Sequence, residues 1–321
     1  MTALPRISVL LVTKNGERYL AEVLDRIGQQ QGRFQLDEII AVDSGSRDQT
    51  LAILESHAVR VIRIPPQEFG HGKTRNLAAS YARGDYLIFL TQDATPANDD
   101  WLDALLAPLQ ANPSIAGAYS RHLPRPNCHP MEWRRIVEEE LSGRTESCLN
   151  SSDIPDYANN PAFFYFFSNV SSVLRRSVWQ QHPFPEVEFA EDQLWARRVL
   201  EAGYKTAYRA DSLVYHSHNY GPWSNFRRHF DHARALSDSD SASSLPLGRA
   251  LSTAWRAARR DLSFWRWLTS QGRLHVELRW GGLALAWHLA ALWGTWLGER
   301  KHALTPSLTR RISLQESIKQ K

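Results

Sequence analysis

The sequence predicts an α/β protein, a mostly parallel sheet with crossover helices followed by a helical C-terminal tail rich in tryptophan and arginine. Three observations carry that prediction. Strand-like and helix-like segments alternate in the first half of the chain, chemically capable polar residues stand where the strand-like runs end, and tryptophan and basic residues crowd the chain after Leu251.

The elements follow in order. ISVLLVTKN is an apolar, β-rich run that stops at the turn pair Asn15-Gly16, YLAEVLDRIGQQ has helical periodicity, and DEIIAVDSGS is a buried-type strand ending in Ser and Gly. QTLAILESHA reads as a helix, VRVIRI as a strand, GKTRNLAASYARG as a helix closed by Gly84, and DYLIFLTQD as a strand. Such alternation implies βαβ units with right-handed crossovers. Ligands of these sheets bind beyond the carboxyl ends of the strands, so Thr13, Asp43 and Asp93 are expected around one crevice. A helix is expected over 99–110. After Pro113 the chain reads as less regular through RHLPRPNCHP and SSDIPDYANNP, and FFYFFSNVSSVLRRSVW then regains core-like hydrophobicity. SDSDSASS at 237–244 has the composition of a hinge, which divides the chain into an expected catalytic domain 1–236, a linker 237–250 and a tail 251–321. No internal repeat is found.

Composition bounds the function. With 321 residues, 43% hydrophobic and 22% charged, the chain can bury a substantial core, which excludes disordered and fibrous classes. Its two cysteines, Cys128 and Cys148, have no CxxC spacing, which argues against a disulfide framework or thiolate zinc site and for a reducing compartment. The apolar start is short and runs into Lys14 and turn residues, so it is expected to be a first strand rather than a secretion signal. Net charge is +4, but residues from Leu251 onward hold twelve Lys/Arg against four Asp/Glu and seven of the twelve tryptophans. Trp and Arg at that density suit a membrane interface. No nucleic-acid motif accompanies the basic tail, so nucleic acid is not an expected partner. GGLALAWHLAALWGTWLG at 281–298 is about the length of a membrane span but holds four glycines, a histidine and three tryptophans. Together with LSTAWRAARRDLSFWRWL upstream it fits interfacial docking, the alternative being a Trp-rich helix packed on the catalytic domain or on a second copy in a homo-oligomer.

Three places carry candidate chemistry. Asp93 emerges from an apolar strand in FLTQDATP, where a carboxylate either holds a divalent cation or caps the following turn. Glu191-Asp192 opens the helix QLWARRVLEAG; the helix dipole alone favours acids there, and one of them is alternatively a general base for an acceptor hydroxyl. His216 and His218 in VYHSHNY point the same way if extended, as a metal ligand and its neighbour or as a structural pair.

The ordered set DSGSRD, FGHGKTRNLAASYARGDYLIFLTQDATP, FSNVSSVLRR, FAEDQLWARRVLEAGYK and VYHSH resembles the family 2 glycosyltransferases, and the TRN and TQDA wording is similar to their rhamnosyltransferase-like branch. The resemblance spans roughly residues 6–236. It implies the GT-A fold, a Rossmann-like nucleotide-sugar-binding sheet, and an inverting, metal-assisted transferase using Mg2+ or Mn2+. It places the donor nucleotide on Thr13, Asp43, Ser44, Arg75, Asn76, Gln92 and Asp93, and the metal on Asp93 and His216. Asp192 becomes the base of the ED motif, with Glu191 beside it. The DXD motif reads Thr91-Gln92-Asp93, so its first acid is missing. Expected partners are a nucleotide-sugar donor (dTDP-rhamnose first, a UDP- or GDP-sugar next), a lipid-linked or polysaccharide acceptor, and the cytoplasmic face of the membrane through the tail. The competing classes are a non-catalytic GT-A-like sugar-nucleotide or membrane-docking protein, and a dinucleotide-dependent oxidoreductase, which the absence of GxGxxG after the first strand disfavours.

Overall fold

The protein is described from a computed structural model covering residues 4–139, 146–187, 190–236, 247–270, 272 and 279–314. It divides into two compact units: the described residues of Met1–Leu123 with Leu141–His216, and those of Pro124–Glu140 with Ser217–Lys321.

The first unit is a nine-stranded sheet with helices on both faces. Its strands are β1 (Arg6–Thr13), β2 (Gln35–Asp43), β3 (Arg60–Arg63), β4 (Tyr86–Thr91), β5 (Thr95–Pro96), β6 (Ile115–Leu123), β7 (Cys148–Asn150), β8 (Ser171–Arg175) and β9 (Lys205–Tyr215), in the order β3-β2-β1-β4-β8-β6-β9-β5 with β7 on β9. β3, β2, β1 and β4 run parallel, β8 enters antiparallel to both β4 and β6, and β6 pairs parallel with β9. Side-chain alternation sorts the core. Val9, Leu11, Ile88 and Leu90 face α1 (Leu20–Gly28), α2 (Thr50–Ser56) and α4 (Trp101–Ala111), whereas Leu10, Leu87 and Phe89 face α3 (His71–Ser80), α7 (Arg176–Gln181) and α8 (Glu191–Glu201). A short helix, α6 (Pro161–Phe164), completes the unit.

Under the antiparallel insertion lies a buried polar knot. The Trp101 indole donates to Ser120 at 3.1 Å and Ser171 at 3.0 Å, and the Ser120 and Ser212 hydroxyls lie 2.8 Å apart. Each buried polar atom there finds a partner, so the knot ties α4 to β6, β8 and β9 without a desolvation penalty. β6 was expected to be irregular chain; its small residues and preceding proline hide the strand, which is formed by pairing with β8 and β9.

The second unit is helical: α5 (Pro130–Arg134), α9 (Pro222–Leu236), α10 (Leu247–Ser270), α11 (Arg279–Gly298) and α12 (Pro306–Ile312). Met131, Ala258, Phe264, Trp265, Leu268, Ala284 and Trp287 form its core. The fully buried Asp261 accepts from Arg134 Nε and lies 2.7 Å from His288 Nε2. α11 lies close on α9. A Cβ at Gly294 would stand 2.2 Å from the Phe226 carbonyl oxygen, and one at Gly298 2.4 Å from that of Phe230, so only glycine permits this approach. Among the described residues no helix is long and apolar enough to cross a membrane. The segment 281–298, expected to dock at an interface rather than to span, lies in α11 and packs on α9 within this unit. Of the expected linker 237–250, residues 237–246 lie outside the described residues, while α10 already begins at Leu247.

Candidate active site

The parallel register sets Thr13 opposite Asp43 at the carboxyl ends of β1 and β2. Asp43 accepts from Thr13 Oγ1 at 3.2 Å, from the Gly45 and Ser46 amides at 3.0 Å each, and from Ser46 Oγ at 2.5 Å. Those four donors fill the acceptor positions of a carboxylate, so Asp43 shapes the 43–46 turn, whose Gly45 takes a φ of +90°. Ser44 is turned back on the sheet, its amide donating to the Thr13 carbonyl at 3.0 Å. Beside it the Lys14 ammonium is held below its usual pKa by burial and then by Arg47, which puts two cations at this end of the crevice.

Gln92 joins the ends of β1 and β4. Its Oε1 accepts from the Lys14 amide at 2.9 Å and its Nε2 donates to the Lys14 carbonyl at 3.0 Å. The amide sits so close that a Cβ on Gly16 would lie 2.4 Å from Oε1. A carboxylate at position 92 has no hydrogen to give the Lys14 carbonyl, so glutamine suits this middle position of the motif, and the first acid that the resemblance expects is replaced by Thr91.

Asp93 and His216 are brought together by a short antiparallel pairing, Thr95 opposite Tyr215. Asp93 Oδ1 stands 3.6 Å from His216 Nε2, and both side chains remain partly open. Metal ligation at about 2.0–2.2 Å to each atom is compatible with that spacing, and the carboxylate oxygen plus imidazole nitrogen fits a divalent cation. His122 of β6, which the sequence reading did not single out, stacks edge-on against His216 with ring centres 5.7 Å apart. His218 belongs to the second unit, where it stacks on Tyr220.

At the start of α8 the two acids have different surroundings. Glu191 is buried and meets Arg75 Nη1 at 2.6 Å. Burial opposes its charge, but Arg75 and His71 outweigh that and hold the carboxyl below the usual range. Asp192 accepts the Asn169 amide at 3.0 Å and the Gln193 amide at 2.9 Å, and is pushed up to about 7 by burial first and by the Glu191 charge second. The preceding Ala190 holds a left-handed φ of 61°, an uncommon conformation for alanine that aims this turn. Phe189, expected as part of the motif, lies outside the described residues.

Asn169 is the second residue the sequence reading missed. Its amide nitrogen holds Asp192, its side chain reaches Glu191 at 3.3 Å, and the neighbouring Val170 carbonyl accepts from the Thr91 amide at 3.0 Å. One turn thus links the ED acids to the strand end that carries Asp93. Its sequence signal was the polar Ser168-Asn169 pair just ahead of an apolar strand. Arg75 and Asn76, expected beside the nucleotide, brace the opposite wall. Asn76 binds the Phe184 backbone on both sides and accepts from the Trp179 indole at 3.0 Å. The N-terminal end of α3 presses on that wall so closely that a Cβ at Gly72 would lie 2.0 Å from the Pro185 carbonyl oxygen.

Comparison with known proteins bears on this geometry. Residues 8–171 match the family model described as glycosyl transferase family 2. The chain is 35% identical over 231 residues to the O-antigen chain rhamnosyltransferase RfbN of Salmonella typhimurium, covering 70% of this chain and 71% of that one. It is 38% identical over 205 residues to the O-antigen chain rhamnosyltransferase WbaN of Salmonella anatum, 63% of each. The fold is similar to that of the mannosyltransferase PcManGT from Pyrobaculum calidifontis in complex with GDP-Man and Mn2+, with a TM-score of 0.58 at 17% identity over 92% of this chain and 88% of that one. It is also similar to S. aureus TarS 1-349 in complex with UDP-GlcNAc, with a TM-score of 0.52 at 16% identity over 93% and 91%.

Proposed function

The chain belongs to glycosyl transferase family 2, and we propose that it transfers a sugar with inversion from a nucleotide donor to a lipid-linked or polysaccharide acceptor in O-antigen-type cell-envelope synthesis. It is a nucleotide-sugar-dependent glycosyltransferase of the GT-A fold. dTDP-rhamnose is the first donor choice, supported by the rhamnosyltransferase relatives, and a UDP- or GDP-sugar is the second. The observation that carries the reading is the 169–170 turn, which holds Asp192 and the Asp93 strand end in one frame.

Asp192 is the base. Glu191 is committed to Arg75, whereas each Asp192 oxygen keeps a lone pair beyond its single backbone hydrogen bond, and its raised pKa suits proton uptake near neutrality. It accepts the proton of the acceptor hydroxyl as that oxygen bonds to the anomeric carbon. The bond from that carbon to the diphosphate oxygen breaks, its electron pair leaves with the nucleoside diphosphate, and Asp192 returns the proton to solvent. Thr13, Asp43 and Ser44 form the wall for the base and ribose, and Gln92 fixes the loop facing the diphosphate. Asp93 and His216 would hold Mg2+ or Mn2+, which neutralises charge growing on the leaving diphosphate. In this reading the protein works at the cytoplasmic face of the membrane, docked by the tail. The test is release of nucleoside diphosphate from a panel of donors, with and without Mn2+. Release from one donor that needs Asp192 supports the reading, and binding without turnover on every donor favours the non-catalytic alternative.

A further inference from the structure

α10 is divided between a packed side and an outer side. Ala254, Ala258, Asp261, Phe264, Trp265 and Leu268 are buried, and the helix's one acid, Asp261, spends its charge on Arg134 and His288 inside the unit. The outer side keeps Leu251 at 67% exposure, Trp255 at 56% and Trp267 at 53%. Between the two tryptophans stand Arg256, Arg259, Arg260 and Arg266, all exposed. Trp255, Arg259, Ser263 and Trp267 recur at four-residue spacing with Arg256 and Arg260 in the adjoining row, so cations and indoles share one continuous face with no acid on it.

We propose that this outer face of α10 is the surface that lies on an anionic lipid leaflet, with the helix axis in the plane of the headgroups. The inference rests on the transferase reading for its purpose, delivery of a lipid-linked acceptor. The charge complementarity is one-sided: four guanidinium groups and no carboxylate suit phosphate headgroups, each cation near such a surface raising partitioning about five-fold. The flanking indoles suit the headgroup boundary, where an apolar body and a polar N–H are both accommodated. Insertion is excluded by the same residues, because four arginines on the contact face oppose burial in hydrocarbon. α11, the more apolar helix, is occupied by α9 through Gly294 and Gly298. Docking is therefore interfacial and salt-sensitive.

The experiment is co-sedimentation of the full chain with phosphatidylglycerol-containing vesicles and with pure phosphatidylcholine vesicles, across salt. It compares wild type with the Arg256→Glu, Arg259→Glu, Arg260→Glu, Arg266→Glu combination and with Trp255→Ala plus Trp267→Ala. Wild type should bind anionic vesicles at low salt and leave them at high salt. Charge reversal should reduce partitioning by about 100-fold or more, and the tryptophan pair by about ten-fold, with unchanged melting temperature because the replaced side chains are exposed. Wild type remaining in the supernatant, or variants sedimenting like wild type, overturns the proposal. So does binding that DNA matches and that ignores the tryptophans, since that is adhesion to any polyanion. Donor hydrolysis, assayed in parallel without vesicles, should be the same in all three chains. Vesicle binding without hydrolysis of any donor would retire the transferase reading and leave the docking face standing.

Discussion

The two units bury charge in opposite ways. In the sheet unit two adjacent carboxyls share one arginine: Glu191 takes Arg75, and Asp192 is left with two backbone amides and a raised pKa. In the helical unit one carboxylate, Asp261, is met by both Arg134 and His288. A buried site with surplus negative charge is poised to take a proton, whereas a neutralised one only holds helices together. The comparison teaches that burial of an acid is no sign of chemistry until its partners are counted.

The strongest way to break this contrast is to remove the surplus acid. Asp192→Asn is expected to lower transfer by about 10² to 10⁴ while donor affinity, read by titration calorimetry, persists. Transfer near the wild-type rate would place the base elsewhere. The counterpart in the helical unit, Asp261→Asn, should act on stability. Breaking a buried, hydrogen-bonded ion pair costs about 3–5 kcal/mol, so calorimetry should show a markedly earlier unfolding transition, with donor hydrolysis retained at low temperature. Loss of hydrolysis with an unchanged melt would reverse the assignment of the two sites.

Smaller effects sharpen the same contrast. Asp93→Ala and His216→Ala should each raise the Mn2+ concentration needed for half-maximal activation by about ten-fold or more, since each removes one of few ligands. A rate untouched by chelator would leave the fold in place and remove that pair from the metal site. The pH profile is the subtlest probe. Because the Asp192 pKa is raised, its protonated and inactive form dominates below about 7, so transfer should rise with pH through that region and fall away on the acid side. Removing the neighbouring charge with Glu191→Gln should move the acid limb to lower pH. An unmoved limb would mean that another group titrates.

Legibility differed between the units for physical reasons. β1 to β4 and their helices were readable because local periodicity and turn residues agree there, and the acids at their ends were found as a result. β6 escaped because its pattern is set by partners far along the chain. At Gly117 a Cβ would meet the Val173 carbonyl oxygen at 2.8 Å and the Trp195 ring at 3.0 Å, a constraint with no local signature. Arg75 was placed near the nucleotide by its motif, but its partner Glu191 is 116 residues away and the pairing exists only in the folded chain. Asn169 went unnoticed because its importance lies in a backbone amide, which every residue but proline has. In the tail, composition announced tryptophan and arginine without saying which side each takes. Trp265 and Trp287 are core, while Trp255 and Trp267 face out.

The amide of Gln92 has consequences for the history of the chain as well as its shape. It locks the Lys14 backbone from both sides, and Gly16 leaves the space it occupies. An acid at position 92 would forfeit the hydrogen bond donated to the Lys14 carbonyl, and a side chain at position 16 is barred while glutamine stays. The two positions are therefore coupled in one direction: room for a side chain at 16 opens only when the glutamine at 92 is gone. Drift at position 16 should therefore be visible only in relatives that have lost the glutamine.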